Sequence, residues 1–306
     1  MNGSNNIPLV SIVMATYNGE RFLEEQMESV LKQSYPAIEI IVVDDGSTDR
    51  TAEILQSYAG RYSNIRLYFS EGKNLGYIKN FEKGCRLATG DYISFCDQDD
   101  VWIPDKTTIL MNAIGNHPMV YCDSELVGST LNSLHRKHSD HKKLQSFANC
   151  LCFATDNCVG GHALIMKKEI FTYADPFPVE MPYDLWCAFA ATFYGGIQYV
   201  DQALVKWRQH GNNITVSPKS KEIKLAETRM RLKLFYEYCK PENGKEKQVL
   251  HQLMQSYQNY SIGNNFRRMG LFFKYKKYLL AMKKKNAFRK FLFCLKMFYR
   301  IRLHVA

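Results

Sequence analysis

Over the first hundred residues, short apolar runs alternate with segments whose apolar positions recur every three or four residues. Val10-Ser11-Ile12-Val13-Met14-Ala15 and Ile38-Glu39-Ile40-Ile41-Val42-Val43 are nearly continuous apolar runs, which predicts strands buried on both faces. Ile65-Arg66-Leu67-Tyr68-Phe69 predicts a third strand, and Asp91 to Cys96, following the break at Gly90, a fourth. Between them, Phe22, Leu23, Gln26, Met27, Val30 and Leu31 share a helical face. Ala52, Leu55 and Tyr58 form a second such stripe behind a Thr48-Asp49 cap, and a third helix is expected over Tyr77 to Ala88. Strands alternating with amphipathic helices predict βαβ units and a parallel sheet covered on both faces. In such sheets ligands sit beyond the carboxyl ends of the strands. Those ends carry Thr16-Tyr17-Asn18, Asp44-Asp45 and Asp97-Gln98-Asp99, so all three polar clusters are expected in one crevice.

From residue 104 to about 210 the pattern is less regular. A helix is expected from Pro104, short strands near Met119–Cys122 and Ala163–Met166, and a helix over about Tyr183 to Phe193. His135-Arg136-Lys137-His138 and His141-Lys142-Lys143 read as a mobile polar loop. Beyond about 219 the pattern is helical and increasingly basic, with no internal repeat and no low-complexity linker. The expected organisation is a catalytic domain over residues 1–215 and a basic helical region over 216–306.

Charge sharpens that division. The 306 residues carry a net charge of +10, yet residues 247–306 hold 14 Lys/Arg and no Asp or Glu, and the rest holds 26 basic against 30 acidic residues. An acidic body with a basic tail points to nucleic acid or an anionic membrane surface. Nine cysteines scattered through apolar segments suit free thiols in a reducing cytosol. Met1 to Asn6 lacks the features of a signal peptide, and no apolar run reaches the roughly 20 residues that span a bilayer.

Several segments carry candidate chemistry, each with an ordinary structural alternative. Asp97-Gln98-Asp99-Asp100 suits a divalent cation held by hard oxygen ligands, or a solvated acidic turn. Asp44-Asp45-Gly46-Ser47 suits carboxylates binding a nucleoside, or a strand-to-helix turn. Lys79 offers a positive charge to a phosphate, and Gly76 a turn. Asp184 fits either a helix cap or a general base, with Glu180 as its rival. His210 fits a metal ligand or a structural histidine. Cys150, Cys152, Cys158 and His162 lack the Cys-x-x-Cys arms of a zinc site and read as buried residues.

Taken together, Val10 to Asn18, Val42 to Thr51, Lys73 to Asn80 and Gly90 to Lys106 resemble the nucleotide-sugar domain of family 2 glycosyltransferases. Four ordered blocks make this far more specific than a lone Asp-x-Asp, and the likeness extends over about residues 8–210. It implies an α/β, Rossmann-like, mostly parallel sheet (the glycosyltransferase type A fold) with a C-terminal helical extension. It further implies that Ala15, Thr16 and Tyr17 line the nucleobase and that Asp44 and Asp45 bind base and ribose. Asp99 becomes the direct ligand of Mg²⁺ or Mn²⁺, with Asp97 on the ribose or the water shell. Lys79 stands where many members carry arginine. Tyr183-Asp184-Leu185-Trp186 resembles the segment with the catalytic base, Asp184, and Gly160-Gly161 a turn beside the acceptor, so Gly161 and Trp186 are acceptor-side candidates. Lys206-Trp207-Arg208-Gln209-His210-Gly211-Asn212-Asn213 resembles a segment of bacterial rhamnosyltransferases, with His210 on the metal or the diphosphate.

The expected activity is inverting, metal-dependent transfer of a sugar, rhamnose first, from a nucleoside-diphosphate sugar. The acceptor is a glycan or lipid-linked glycan of bacterial cell-surface polysaccharide synthesis. Phe288, Phe291, Leu292, Leu295, Phe298 and Tyr299 share a helical face flanked by Arg289, Lys290, Lys296 and Arg300. That helix suits packing on the body or lying on anionic lipid, and a cytoplasmic protein peripheral on the inner face of the membrane is expected. The rival readings are a nucleic-acid- or lipid-binding protein on a degenerate nucleotide-sugar fold, or a nucleotidyltransferase. No nucleic-acid module accompanies the charge, so nucleic acid is not the expected partner. No Gly-rich phosphate loop follows the first strand, which argues against the nucleotidyltransferase.

Overall fold

A computed structural model describes residues 7–70, 74–211 and 220–299. Lys73, Asn212, Asn213 and Arg300, which figure in the sequence motifs, lie outside the described residues. The chain divides into two compact units, residues 1–140 with 159–213, and residues 141–158 with 214–306.

The first unit is built on one sheet. Its elements are β1 (Val10–Thr16), α1 (Leu23–Leu31), β2 (Ile38–Asp44), α2 (Thr51–Arg61), β3 (Ile65–Phe69), α3 (Tyr77–Leu87), β4 (Tyr92–Cys96), β5 (Val101–Trp102), α4 (Lys106–Ile114), β6 (Met119–Val127), β7 (Ser133–Lys137), the turn α5 (His138–His141), β8 (Leu164–Lys167), α6 (Lys168–Ala174), α7 (Tyr183–Ala191) and β9 (Ile197–Arg208). The spatial order is β3-β2-β1-β4-β8-β6-β9-β5, with β7 on β6. Strands β3, β2, β1 and β4 are parallel, in keeping with their mainly apolar runs. The mostly parallel sheet becomes mixed beyond β4: β8 is antiparallel to β4 and β6, and β9 is parallel to β6.

The α/β architecture matches the expected fold class. The helical stripes read from the sequence face the sheet: Leu23, Met27 and Val30 of α1 and Leu55 and Tyr58 of α2 are buried with Ile12, Met14, Ile40 and Val42. Three local expectations change. The segment expected as a mobile loop from His135 forms β7 and α5, held where the Lys137 amide donates to Asp140 at 2.7 Å. The strand expected near Met119–Cys122 runs on to Val127. The 12-residue strand β9 was not expected, because its mixed sequence lacks a clean period of two. Its pairing with β6 shifts register around Asp123, so tertiary pairing fixes it where local pattern does not.

The second unit is helical: α8 (Lys221–Tyr238), α9 (Gly244–Ser256), α10 (Ile262–Lys274), the turn α11 (Lys276–Leu279) and α12 (Ala287–Tyr299). Leu232, Phe235, Leu250, Leu253, Phe272 and Met297 are buried, together with Cys150–Phe153 from the inserted segment. Buried Arg268 ties three elements together, donating to the carbonyls of Met297 at 3.1 Å and Ser256 at 2.5 Å and to Asn265 at 2.5 Å. Among the described residues no helix is long and apolar enough to cross a membrane.

Candidate active site

The parallel strands end side by side. Thr16 pairs with Asp44 across β1 and β2, and Met14 with Cys96 across β1 and β4. Beyond those ends the Gln98 side chain clamps the β1 exit, accepting from the Tyr17 amide at 2.9 Å and donating to its carbonyl at 3.0 Å. A side chain at Gly19 would collide with that amide group. Asp44 accepts from Thr16 Oγ1 at 2.8 Å and from the Ser47 amide at 2.9 Å, so it organises the turn after β2. Asp45 accepts from the amides of Leu75 and Gly76, both at 2.8 Å, and so fixes the start of α3, where Gly76 has φ +79°. Both carboxylates are buried, while Ala15 is half-buried and Tyr17 exposed.

The acidic turn after β4 meets two histidines from distant segments. Asp99 Oδ2 lies 2.8 Å from His210 Nε2. His162 Nδ1 lies 3.8 Å from Asp97 Oδ2 and from Asp100 Oδ2, and its Nε2 is 2.8 Å from Ser124 Oγ. Asp100 is buried, with Oδ1 accepting from the Arg208 amide at 2.9 Å. Its Oδ2 has no hydrogen-bond partner among the described residues. Burial, then the charges of Asp99 and Asp97, hold the Asp100 carboxyl well above the usual carboxylate range. Burial and the Asp97 charge likewise push Asp99 up, against the pull of His210. Asp97 and Asp100, the latter with an orphaned buried oxygen, and the His162 imidazole, whose far nitrogen is already anchored, form a donor set suited to a divalent cation.

Arg208 closes this end of the sheet. Its buried guanidinium donates to the carbonyls of Asp99 at 2.6 Å and Ser129 at 2.5 Å, pairs with Glu25, and lies 4.4 Å from the Phe22 ring centroid. It thereby fixes the strand end that aims His210, whose ring rests 4.9 Å from the same Phe22 ring.

Beneath the turn lies a second polar feature. Lys106 is fully buried, its Nζ 3.0 Å from the Trp102 ring centroid and without a hydrogen-bond partner among the described residues. Burial pushes this ammonium down to about 8 from its usual 10.5. Folded Lys106 therefore binds fewer protons than the unfolded chain between about pH 8 and 10.5, so stability rises with pH across that window. At pH 7 the full cost of the buried charge is present. Lys106→Met is expected to stabilise the fold by about 2 kcal/mol at pH 7, the gain fading as pH rises through that window. Urea denaturation at several pH values checks this; a variant less stable at pH 7 would mean that the attraction of the charged Lys106 to Asp100 outweighs the cost of burying it.

Asp184 occupies the first turn of α7, where its Oδ1 accepts from the Leu185 amide at 2.6 Å. The preceding Tyr183 connects it to the acidic turn. The buried Tyr183 ring packs on Phe81 and Phe95 at 4.4 and 4.6 Å, and any side chain at Gly161 would overlap its hydroxyl. Burial, then the charges of Asp97 and Asp184, push the Tyr183 phenol well above its usual value, so both acids lie within electrostatic reach of one ring. Glu180 is exposed.

Two expected contributors are committed elsewhere. Lys79 Nζ is 2.8 Å from both Glu82 Oε2 and the Phe177 carbonyl. Trp186 is 7% exposed and donates its indole N–H to the Ala174 carbonyl at 2.8 Å, so it packs the core and offers an acceptor little surface. Conversely, sequence reasoning counted Asp100 in the acidic turn without a ligand role of its own and weighed His162 only with the cysteines of a zinc site. The signal was the third acid of the turn and a histidine directly after Gly160-Gly161, but nothing local pairs them. Cys150, Cys152 and Cys158 are buried free thiols.

The Glycosyl transferase family 2 model matches residues 11–172. An uncharacterized glycosyltransferase of Rickettsia typhi is 30% identical over 217 residues, covering 68% of this chain and 66% of that protein. A glycosyltransferase of Haemophilus influenzae is 29% identical over 225 residues, covering 68% and 67%, and the putative glycosyltransferase EpsH of Bacillus subtilis 29% over 219 residues, covering 68% and 62%. These matches thus span about two thirds of each relative. The crystal structure of S. aureus TarS 1–349 in complex with UDP-GlcNAc is similar with a TM-score of 0.60 at 19% identity, over 95% of this chain and 81% of that one, a likeness of fold. With a family model spanning more than half of its residues, the chain belongs to glycosyl transferase family 2.

Proposed function

We propose that the protein is an inverting glycosyltransferase that moves a sugar from a nucleoside-diphosphate donor to a glycan or lipid-linked glycan. Rhamnose is the first sugar to test, and bacterial cell-surface polysaccharide the product. Residues 1–215 form the catalytic part in this reading and 216–306 a basic helical extension. The observation that carries the proposal is the meeting of Asp97, Asp99, Asp100, His162 and His210 beyond the carboxyl ends of parallel strands, with Asp184 next in sequence to Tyr183, whose ring packs on Phe95 of β4. The solved neighbour that carries UDP-GlcNAc supports the donor class.

In the reaction, an acceptor oxygen forms a bond to the anomeric carbon as the bond from that carbon to the diphosphate breaks, inverting the centre. Asp184 takes the acceptor's proton. Its carboxylate is held by the Leu185 amide at the start of α7. The β1 exit, Ala15 to Tyr17, and the turns fixed by Asp44 and Asp45 would receive the nucleoside. Asp97 is half-buried and free to reach a ribose hydroxyl or a bound ion. Asp99 with His210, and Asp97 with Asp100 and His162, supply the residues that would hold Mg²⁺ or Mn²⁺. Such an ion neutralises charge on the departing diphosphate. Lys79 would serve the diphosphate only after leaving Glu82.

The direct test is a screen of purified protein against UDP- and dTDP-sugars with Mn²⁺, reading slow release of nucleoside diphosphate. Hydrolysis of one donor class is the expected result. Failure of every nucleoside-diphosphate sugar to bind or hydrolyse would overturn the proposal.

A lipid-linked acceptor and the basic composition of residues 247–306 support a cytoplasmic location, peripheral on the inner face of the cell membrane, in this reading.

A further inference from the structure

Helix α12 is apolar on two sides. Its inner side carries Cys294 and Met297, both buried, and aromatic contacts join it to α10: Phe272 to Phe293 at 6.1 Å and Phe266 to Phe298 at 4.7 Å, while Phe291, at the border of the two sides, reaches Phe273 at 5.4 Å and stays half-exposed. An amphipathic helix whose core face is satisfied ordinarily turns polar residues outward. Here Phe288, Phe291, Leu292, Leu295 and Tyr299 recur at helical spacing along the other side. Phe288 is 68% exposed, Phe291 48%, Leu292 39% and Tyr299 58%, while Phe266 beside the helix is 55% exposed. Basic residues border the stripe: Lys284, Lys285, Arg289 and Lys296 are all exposed.

We propose that the outward stripe of α12 is a membrane-docking surface that inserts its aromatic side chains at the headgroup boundary of an anionic bilayer. This rests on the membrane-peripheral part of the proposed function and deepens it by naming the surface. Charge decides the occupant. Residues 247–306 carry 14 Lys/Arg and no acid, so a second copy docking through the same stripe would set like charge against like. An anionic leaflet supplies the missing counter-charge, and bordering lysines and arginines reach headgroups while the rings enter the acyl boundary. A helix of 13 residues lies in the interface and does not cross it.

The test is flotation of the full chain with phosphatidylcholine vesicles, with and without phosphatidylglycerol. The wild type should float with the anionic vesicles only. Phe288→Ser with Phe291→Ser should lower partitioning at least tenfold, and Arg289→Gln with Lys296→Gln should remove the preference for phosphatidylglycerol. Both pairs are exposed, and light scattering should give the same monomer mass for all three proteins. Equal flotation of the serine variant and the wild type would overturn the proposal. So would a wild-type dimer that the serine variant dissociates, which would assign the stripe to a second copy. Asp99→Asn must float like the wild type, so failure here and failure of the sugar chemistry read out separately.

Discussion

Asp184→Asn is expected to lower turnover by about three orders of magnitude while donor affinity stays within about twofold. The isosteric amide keeps its oxygen for the Leu185 amide, so α7 retains its start and Tyr183 its place against Phe81 and Phe95. What disappears is the group that accepts the acceptor's proton. An attacking hydroxyl that cannot shed its proton develops positive charge as the glycosidic bond forms, and the loss therefore falls on kcat. Titration with the donor's nucleoside diphosphate gives the affinity arm, and initial rates with a matched acceptor give kcat. Near-normal turnover would remove Asp184 from the role and direct attention to exposed Glu180.

Asp99→Asn should act on the other arm, weakening Mn²⁺-supported binding of nucleoside diphosphate by about tenfold to a hundredfold while metal-free binding barely changes. Asp99 makes the close contact with His210, and its neighbours Asp97 and Asp100 form a cluster with His162. Mutual repulsion and burial make this turn costly to keep ionised, and a cation relieves that cost. Calorimetry with and without Mn²⁺ measures the effect, and unchanged Mn²⁺ dependence would remove Asp99 as the ion's ligand. The same titration on His162→Ala and His210→Ala apportions the ion. A fall confined to His162→Ala assigns it to Asp97 and Asp100, and one confined to His210→Ala to Asp99.

Membership in family 2 was legible because its blocks lie in the βαβ half of the chain, where local pattern is strongest. Val10–Ala15, Ile38–Val43 and Ile65–Phe69 announce themselves as mainly apolar runs, each broken by a single polar residue (Ser11, Glu39 and Arg66), since a parallel strand is largely covered on both faces. The polar residues that follow each run were legible for the same reason. Their tasks were not. Asp44 and Asp45 look alike in sequence, yet each is spent on a different loop, one on the turn to α2 and one on the start of α3. Trp186 follows Asp184 by two residues and still turns its indole into the core toward Ala174.

The sequence by itself determined the α/β class, the parallel strands, the acids at their carboxyl ends and the uneven spread of charge. Each of these is encoded in short windows, through residue period and composition. Only the tertiary structure decided which acids meet which histidines. Asp99 and His210 are 111 positions apart, and their contact depends on β9 pairing with β6 through a register shift and on buried Arg208 anchoring the strand end. Nor does any window reveal that α12 packs one apolar side and exposes another, because both sides are written in the same residues. Burial is settled by neighbours distant in the chain, and a local pattern cannot name them.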